Sequence, residues 1–596
     1  MSAPSIPQND SKPERRQKQI AEQAELYKWT YDAFKGIACA EGVPKPDHPD
    51  LAWLARVGEV IVEIMINALE VDKHISEIEP KALSRADVLK LLKEARHEGI
   101  KAALAMLERF IEGNNLNTVP LDAVTDYNGL YRTIPLPPVA HVFRTDTAFA
   151  RMRVAGPNPM MLTRITRLPD NFPVTEAHFT RAMDAHRANG LVPGQDTLAA
   201  ALAEGRAFLC DYKALEGAPS GTFPRPPKFL YAPMGLFVTT AFARTLVPVA
   251  IQCGQTPGAE FPIWTPADGT TWMIAKDCMT VADGNLHQAV VHLAHTHLVS
   301  GPFRVAAMRN MAPTHPVLRL IDPHTEGVLN INNAADTTLT KPKGGVDAVM
   351  GGPVSYSRQV AVDAVKAWNF RDMMFHRNLE ARGVTDREAL PDYPYRDDGA
   401  LIWSATHDWV ERFVRTYYRT DGDVIEDAEL QAFFREAGAQ DGGRLAGIGQ
   451  VRSVDYLIDA LTHVIFTGST QHAAVNFPQR DLMAYLPNFP LVGFTPAPTS
   501  PDLTERDYLT ILPWLDLAQY QSALGHLLGS VHHTKLGDYK AIPIIGAFAG
   551  DLRLNDPLRD FQRRLDEIDD IIESRNLSRE PYSYLRPKFI PQSINI

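Results

Sequence analysis

The segment DGNLHQAVVHLAHTHLVSGPF, running from Asp283 to Phe303, imposes the tightest constraint on how this chain folds. Its apolar residues suit a buried helix, yet it carries His287, His292, His295 and His297. His315 and His324 follow soon after, so six of the nineteen histidines fall between His287 and His324. Neutral imidazole is the commonest protein metal ligand, and such enrichment marks a candidate metal site. His292 and His297 are five positions apart, which on a regular α-helix sets them roughly 140° from each other. Both can reach one ion only if the backbone widens locally to i→i+5 hydrogen bonding, a π-turn of the kind found mostly at functional sites. His295 points to a different side and reads as a core or surface histidine.

Two distant pieces could complete such a site. In GSTQHAAVNFPQRDL, His472 and Asn476 are four apart and share one helical face, with small Ala473 and Ala474 between them. The chain closes on PYSYLRPKFIPQSINI, with Phe589, Ile590, Ile594 and Ile596 giving an apolar end where a frayed polar tail is usual. If that end is tucked inside, its carboxylate needs a partner or a metal. Each piece alone has an ordinary structural explanation; their concurrence carries the reading.

The rest of the chain removes other function classes. A net charge of -11 and the lack of a Lys/Arg cluster argue against nucleic-acid binding. Cys39, Cys210, Cys253 and Cys278 are widely spaced, as suits a reducing compartment. No apolar signal segment and no run of about 20 apolar residues occurs, so the expected location is cytoplasmic. There is no GxxxxGK[ST] loop, GxSxG elbow or HExxH pair.

Periodicity predicts a mainly α fold. Residues 1–13 read as a disordered tail. Residues 14–114 read as a helical extension, including LAWLARVGEVIVEIMINALEV (51–71) and the stretch from Ser84 to Gly113. The first of these is apolar enough to be buried on most sides, or else to act as a lid or membrane-surface helix. Residues 115–596 read as one large, mainly helical unit, with a small mixed β region up to about Gly254 that includes FLYAPMGLFVTTA. Beyond it, helices are predicted over 401–418, 451–468 and 560–576.

Taken together, the motifs resemble those of lipoxygenases. His287, His292, His297, His315 and His324 match the family's His-x4-His-x4-His-x17-His-x8-His run, with Trp272, Ala275, Lys276 and Asp283 leading into it. NINNAA at 330–335, LPDYPYRDDG at 390–399 and PYSYLRP near the end are also similar. The resemblance covers roughly 115–596 and looks bacterial in type, with the helical extension standing where many members carry a lipid-binding β-barrel. It implies a non-haem iron dioxygenase whose ligands are His292, His297, His472, Asn476 and the Ile596 carboxylate, while His287 does not bind. It further implies that Gln288 and Gln479 are outer amides, and that Leu339, Val346 and Leu528 pack around the reacting carbon. Ala335 falls at the small-residue position associated with stereochemistry, where Ala generally accompanies S products and Gly R products.

The implied reaction removes hydrogen from a bis-allylic carbon of a polyunsaturated fatty acid and adds O2 to the opposite face, giving a conjugated hydroperoxide. The implied partners are the fatty acid, O2 and a transient membrane surface. Manganese in place of iron, a zinc hydrolase, and a catalytically silent lipid binder are the competing readings. Two positions depart from the family pattern: Gly301-Pro302-Phe303 replaces Glu-Pro-Phe, and Asp336 replaces the Arg that often follows the stereochemical Ala.

Overall fold

A computed structural model of the chain describes residues 4–75, 121–192, 194–539, 548 and 551–596. Its frame is helical, as the periodicity predicts. The segments expected at 401–418, 451–468 and 560–576 form helices Pro394–Tyr417, Val454–Phe466 and Asn555–Arg575. The first two pack against each other through residues such as Trp403 and Phe466, whose rings lie 5.2 Å apart. Residues 76–120, with the helix expected from Ser84, lie outside the described residues.

The β region is a five-stranded antiparallel sheet of strands Thr163–Ile165, Ala207–Asp211, Met234–Thr239, Leu246–Gln252 and Ile263–Trp264, paired in sequence order. Period-two alternation lets it bury both faces. Phe208, Cys210, Phe237 and Ile251 join the main core, while Leu209, Leu236, Val238 and Val249 build a smaller one with Phe172, Phe179 and Met183.

Two expectations for the N-terminal region need correction. Residues 4–13 are not a loose tail. Ile6 is buried in the main core and the Ser5 N–H donates to the Thr314 carbonyl. Polar composition hid a single apolar anchor. Nor is 14–114 uniformly helical. After helix Pro13–Leu26 the chain makes a two-stranded antiparallel ribbon, Trp29–Thr30 with Cys39–Ala40, before helix Leu51–Ile75 begins. Gly36 and Gly42 adopt positive φ and Pro44 and Pro46 interrupt helical hydrogen bonding there.

Helix Leu51–Ile75 starts where the Asp50 carboxylate accepts the Trp53 N–H. Trp53, Val57, Ile61, Ile64, Ala68 and Val71 recur at helical spacing and are all buried. The helix lies against helix Leu515–Ser530, which carries Leu528. Leu51 and Ile66 remain exposed. No described helix is long and apolar enough to cross a membrane.

Candidate metal centre

Helix Gly269–Leu286 passes without a break into a π-helix, His287–Leu298, and then into helix Val299–Asn310. The i→i+5 turns expected from the histidine spacing are therefore present. They set His292 and His297 side by side, ring centroids 4.8 Å apart and Nε2 atoms 3.2 Å apart. His472 comes from the short helix His472–Asn476 and faces both rings at 5.4 and 5.0 Å. One ring nitrogen from each of the three lies within 4.8 Å of the others, and all three side chains are buried.

Four π segments occur among the described residues, and each borders this site. Ala335–Leu339 carries two of the predicted pocket residues. Thr467–Gln471 leads into His472, and Gln479–Met483 begins on Gln479. Such turns cost regular hydrogen bonding, so their clustering follows the site and not helix propensity. Gly468 is required in Thr467–Gln471, because a Cβ there would stand 2.7 Å from the His324 carbonyl oxygen.

Hydrogen bonds fix what the imidazoles offer. Asn332 donates its amide N–H to the His297 carbonyl at 2.9 Å, so its Oδ1 faces His297 Nδ1 at 3.2 Å. That oxygen can only accept, hence Nδ1 carries the proton and Nε2 presents a lone pair. The lone pair points at His292 and His472. Neither ring nitrogen of buried His472 has a hydrogen bond of good geometry. Burial holds His292 and His472 well below the ordinary histidine pKa and His297 at about 4, with the neighbouring imidazoles adding to the push on His292 and His472. Three neutral rings packed together, with the His297 lone pair fixed toward the other two and His472 without a protein partner, are what a cation fits.

His287 stacks on His292 at 5.6 Å, yet its Nε2 is occupied by the Val475 carbonyl at 2.8 Å. That contact leaves its ring propping His292. The His295 ring is held by the Ala364 backbone and takes no part. His315 bonds Asp427 at 3.0 Å, remote from the cluster.

The remaining predicted residues converge on the same place. Asn476 donates to the Leu528 carbonyl at 2.8 Å, and its Oδ1 accepts from Gln479 at 2.9 Å. Gln479 accepts in turn from Gln288 at 2.7 Å, making a relay of three amides. Gln288, Ala335, Leu339, Val346, Leu528 and Ile596 all line one largely apolar cavity, together with His292 and His297.

The C-terminus is inside, as its apolarity suggests: Ile594 and Ile596 are at most 1% exposed. His324 Nδ1 bonds the Gln592 carbonyl at 2.9 Å and Ser593 donates to the Glu326 carbonyl at 2.8 Å. The Trp53 indole donates to the Asn595 carbonyl at 2.6 Å. Gly327, at φ +84°, lets the tail pass close by, with a Cβ there only 3.2 Å from that of Asn595. The Ile596 backbone is the one influence that opposes the depression of the His472 pKa, which puts the chain end beside that ring.

Sequence reasoning missed Asn332, Trp53 and Arg358, the last a charged side chain lining the cavity. Asn332 lies within NINNAA, but nothing in the sequence pairs it with His297.

Comparison with known proteins identifies the family. The lipoxygenase family profile matches residues 74–586. Linoleate 9/13-lipoxygenase of Pseudomonas aeruginosa is 36% identical, over 100% of this chain and 93% of its own. Polyunsaturated fatty acid lipoxygenase ALOX15B of Homo sapiens is 32% identical, over 81% of this chain and 72% of its own. Among solved structures, coral 8R-lipoxygenase superposes with a TM-score of 0.83 at 28% identity, covering 100% of this chain and 83% of that one. An anaerobic crystal structure of a LOX variant in complex with arachidonate gives 0.83 at 28% identity, covering 100% and 84%. A matching profile over most of the chain and a relative aligned over the whole of this chain show that the chain belongs to the lipoxygenase family.

Proposed function

We propose that the chain binds one non-haem iron through His292, His297, His472, Asn476 and the Ile596 carboxylate, and dioxygenates polyunsaturated fatty acids containing a 1,4-pentadiene. The observation that carries this reading is the cluster of three buried imidazoles beside the chain end, with the His297 tautomer fixed so that its Nε2 lone pair faces the other two rings. Three neutral rings, one amide oxygen and one carboxylate supply a single negative charge, a donor set of hard and borderline character that suits iron. When bound, that iron supplies one-electron redox chemistry toward a bis-allylic C–H bond and O2.

The protein's own residues do the positioning. Ala335, Leu339, Val346 and Leu528 give apolar walls that hold the diene and exclude water. The Gln288–Gln479–Asn476 amide relay links the cavity wall to the amide ligand and orients its oxygen. Ala335 leaves open the face expected to give S hydroperoxides. The relatives named for linoleate and for polyunsaturated fatty acids support the substrate class. Four free cysteines favour a reducing, cytoplasmic setting.

Elemental analysis of the purified chain tests the metal, and linoleate with O2 tests the reaction. One iron per chain and a rising conjugated-diene absorbance are expected. Stoichiometric manganese or zinc would overturn the metal assignment, and an iron-loaded protein that forms no diene would overturn the activity.

A further inference from the structure

The cavity wall contains one cationic side chain, that of Arg358 on helix Val354–Ala367. A guanidinium there would be the natural anchor for a carboxylate, yet both its terminal nitrogens are already engaged. Nη1 donates to Thr340 Oγ1 at 2.7 Å, and Nη2 pairs with Asp336 Oδ1 at 2.8 Å and bonds the Ala33 carbonyl. The Phe34 ring covers the guanidinium at 4.1 Å. Asp336 approaches from the far side, where it lines a second cavity shared with Cys39, Asn332 and Gly301. Both charged side chains are 24% exposed, enough burial for the pair to cancel locally and too little to be inert.

We infer that the Asp336–Arg358 pair is a specificity element, which neutralises the cavity's cation so that head-group charge contributes nothing to how an acyl chain is seated. A free carboxylate and a neutral ester of the same chain then bind on equal terms at this wall. The inference rests on the proposed fatty-acid activity. It names Asp336, the residue standing where the family often has Arg, as the source of the neutrality.

The test compares linoleate with methyl linoleate on the same preparation of iron-loaded protein, so that losses from misfolding cancel in the ratio. The wild-type kcat/KM ratio, acid over ester, should be near one. Asp336→Asn exposes an uncompensated Arg358 and should raise the ratio at least about fivefold, the scale of one charge-assisted hydrogen bond at a half-solvated site. The proportion of 9- to 13-hydroperoxide from linoleate should move with it, while that from the ester stays fixed. Arg358→Gln leaves Asp336 alone beside the cavity and should lower the ratio. The double variant should return it to the wild-type value. A ratio unmoved by either single variant overturns the inference, whereas absence of diene from both substrates in the wild type overturns the activity itself.

Discussion

At the scale of single residues, Asn332 is the side chain on which the cluster's chemistry turns. It accepts from His297 Nδ1 and donates to the same residue's carbonyl, so it fixes both tautomer and ring plane. Asn332→Leu keeps the volume and removes the acceptor. Metal affinity is expected to fall about 10–100-fold, as is usual when an outer hydrogen bond to a ligand is lost, and competition with a chelator would read it. Unchanged affinity would show that packing alone holds His297. This role was not legible in the sequence, because residue 332 meets residue 297 only after two helices fold together. The ligand candidates were legible for the opposite reason. Five-residue spacing leaves a regular helix no way to join His292 and His297, so the pattern announced its own distortion.

Among elements, the C-terminal tail holds its place by contacts from several parts of the chain: Trp53, His324, Glu326 and His533 each bond it. An apolar ending signalled burial, but not these partners. Trp53 belongs to the helix whose greasy run was open to a lid reading, and its indole reaches the residue next to the terminus. Appending residues after Ile596 moves the carboxylate away from His472 and forces polar backbone into a space where Ile596 is 1% exposed. A chain extended this way, or one lacking Ile596, is expected to lose bound metal while circular dichroism still reports the helical frame. Full metal content in the extended chain would remove the terminus from the ligand set. The N-terminal ribbon at Trp29–Ala40 escaped the periodicity argument because each of its strands is two residues long, too short for any alternation to register.

For the whole molecule, burying so many histidines makes the metal-free fold sensitive to acid. Burial lowers His287, His295, His297 and His324 from an ordinary value of about 6.5 to about 4. Below pH 6.5 the unfolded chain takes up protons that the folded one refuses. Stability is therefore present above that value and is lost as the pH falls toward 4. The urea midpoint of the metal-free protein should drop across this window, and a midpoint constant from pH 6.5 to 4 would show that the rings are solvated. The central claim is that one buried histidine, amide and carboxylate set performs dioxygenation on a chain held in the adjoining apolar cavity. Simultaneous recording of O2 uptake and conjugated-diene formation from linoleate by the iron-loaded protein tests it most directly. One O2 consumed per diene formed is the predicted result; diene formed without O2 uptake, or neither signal, would contradict it.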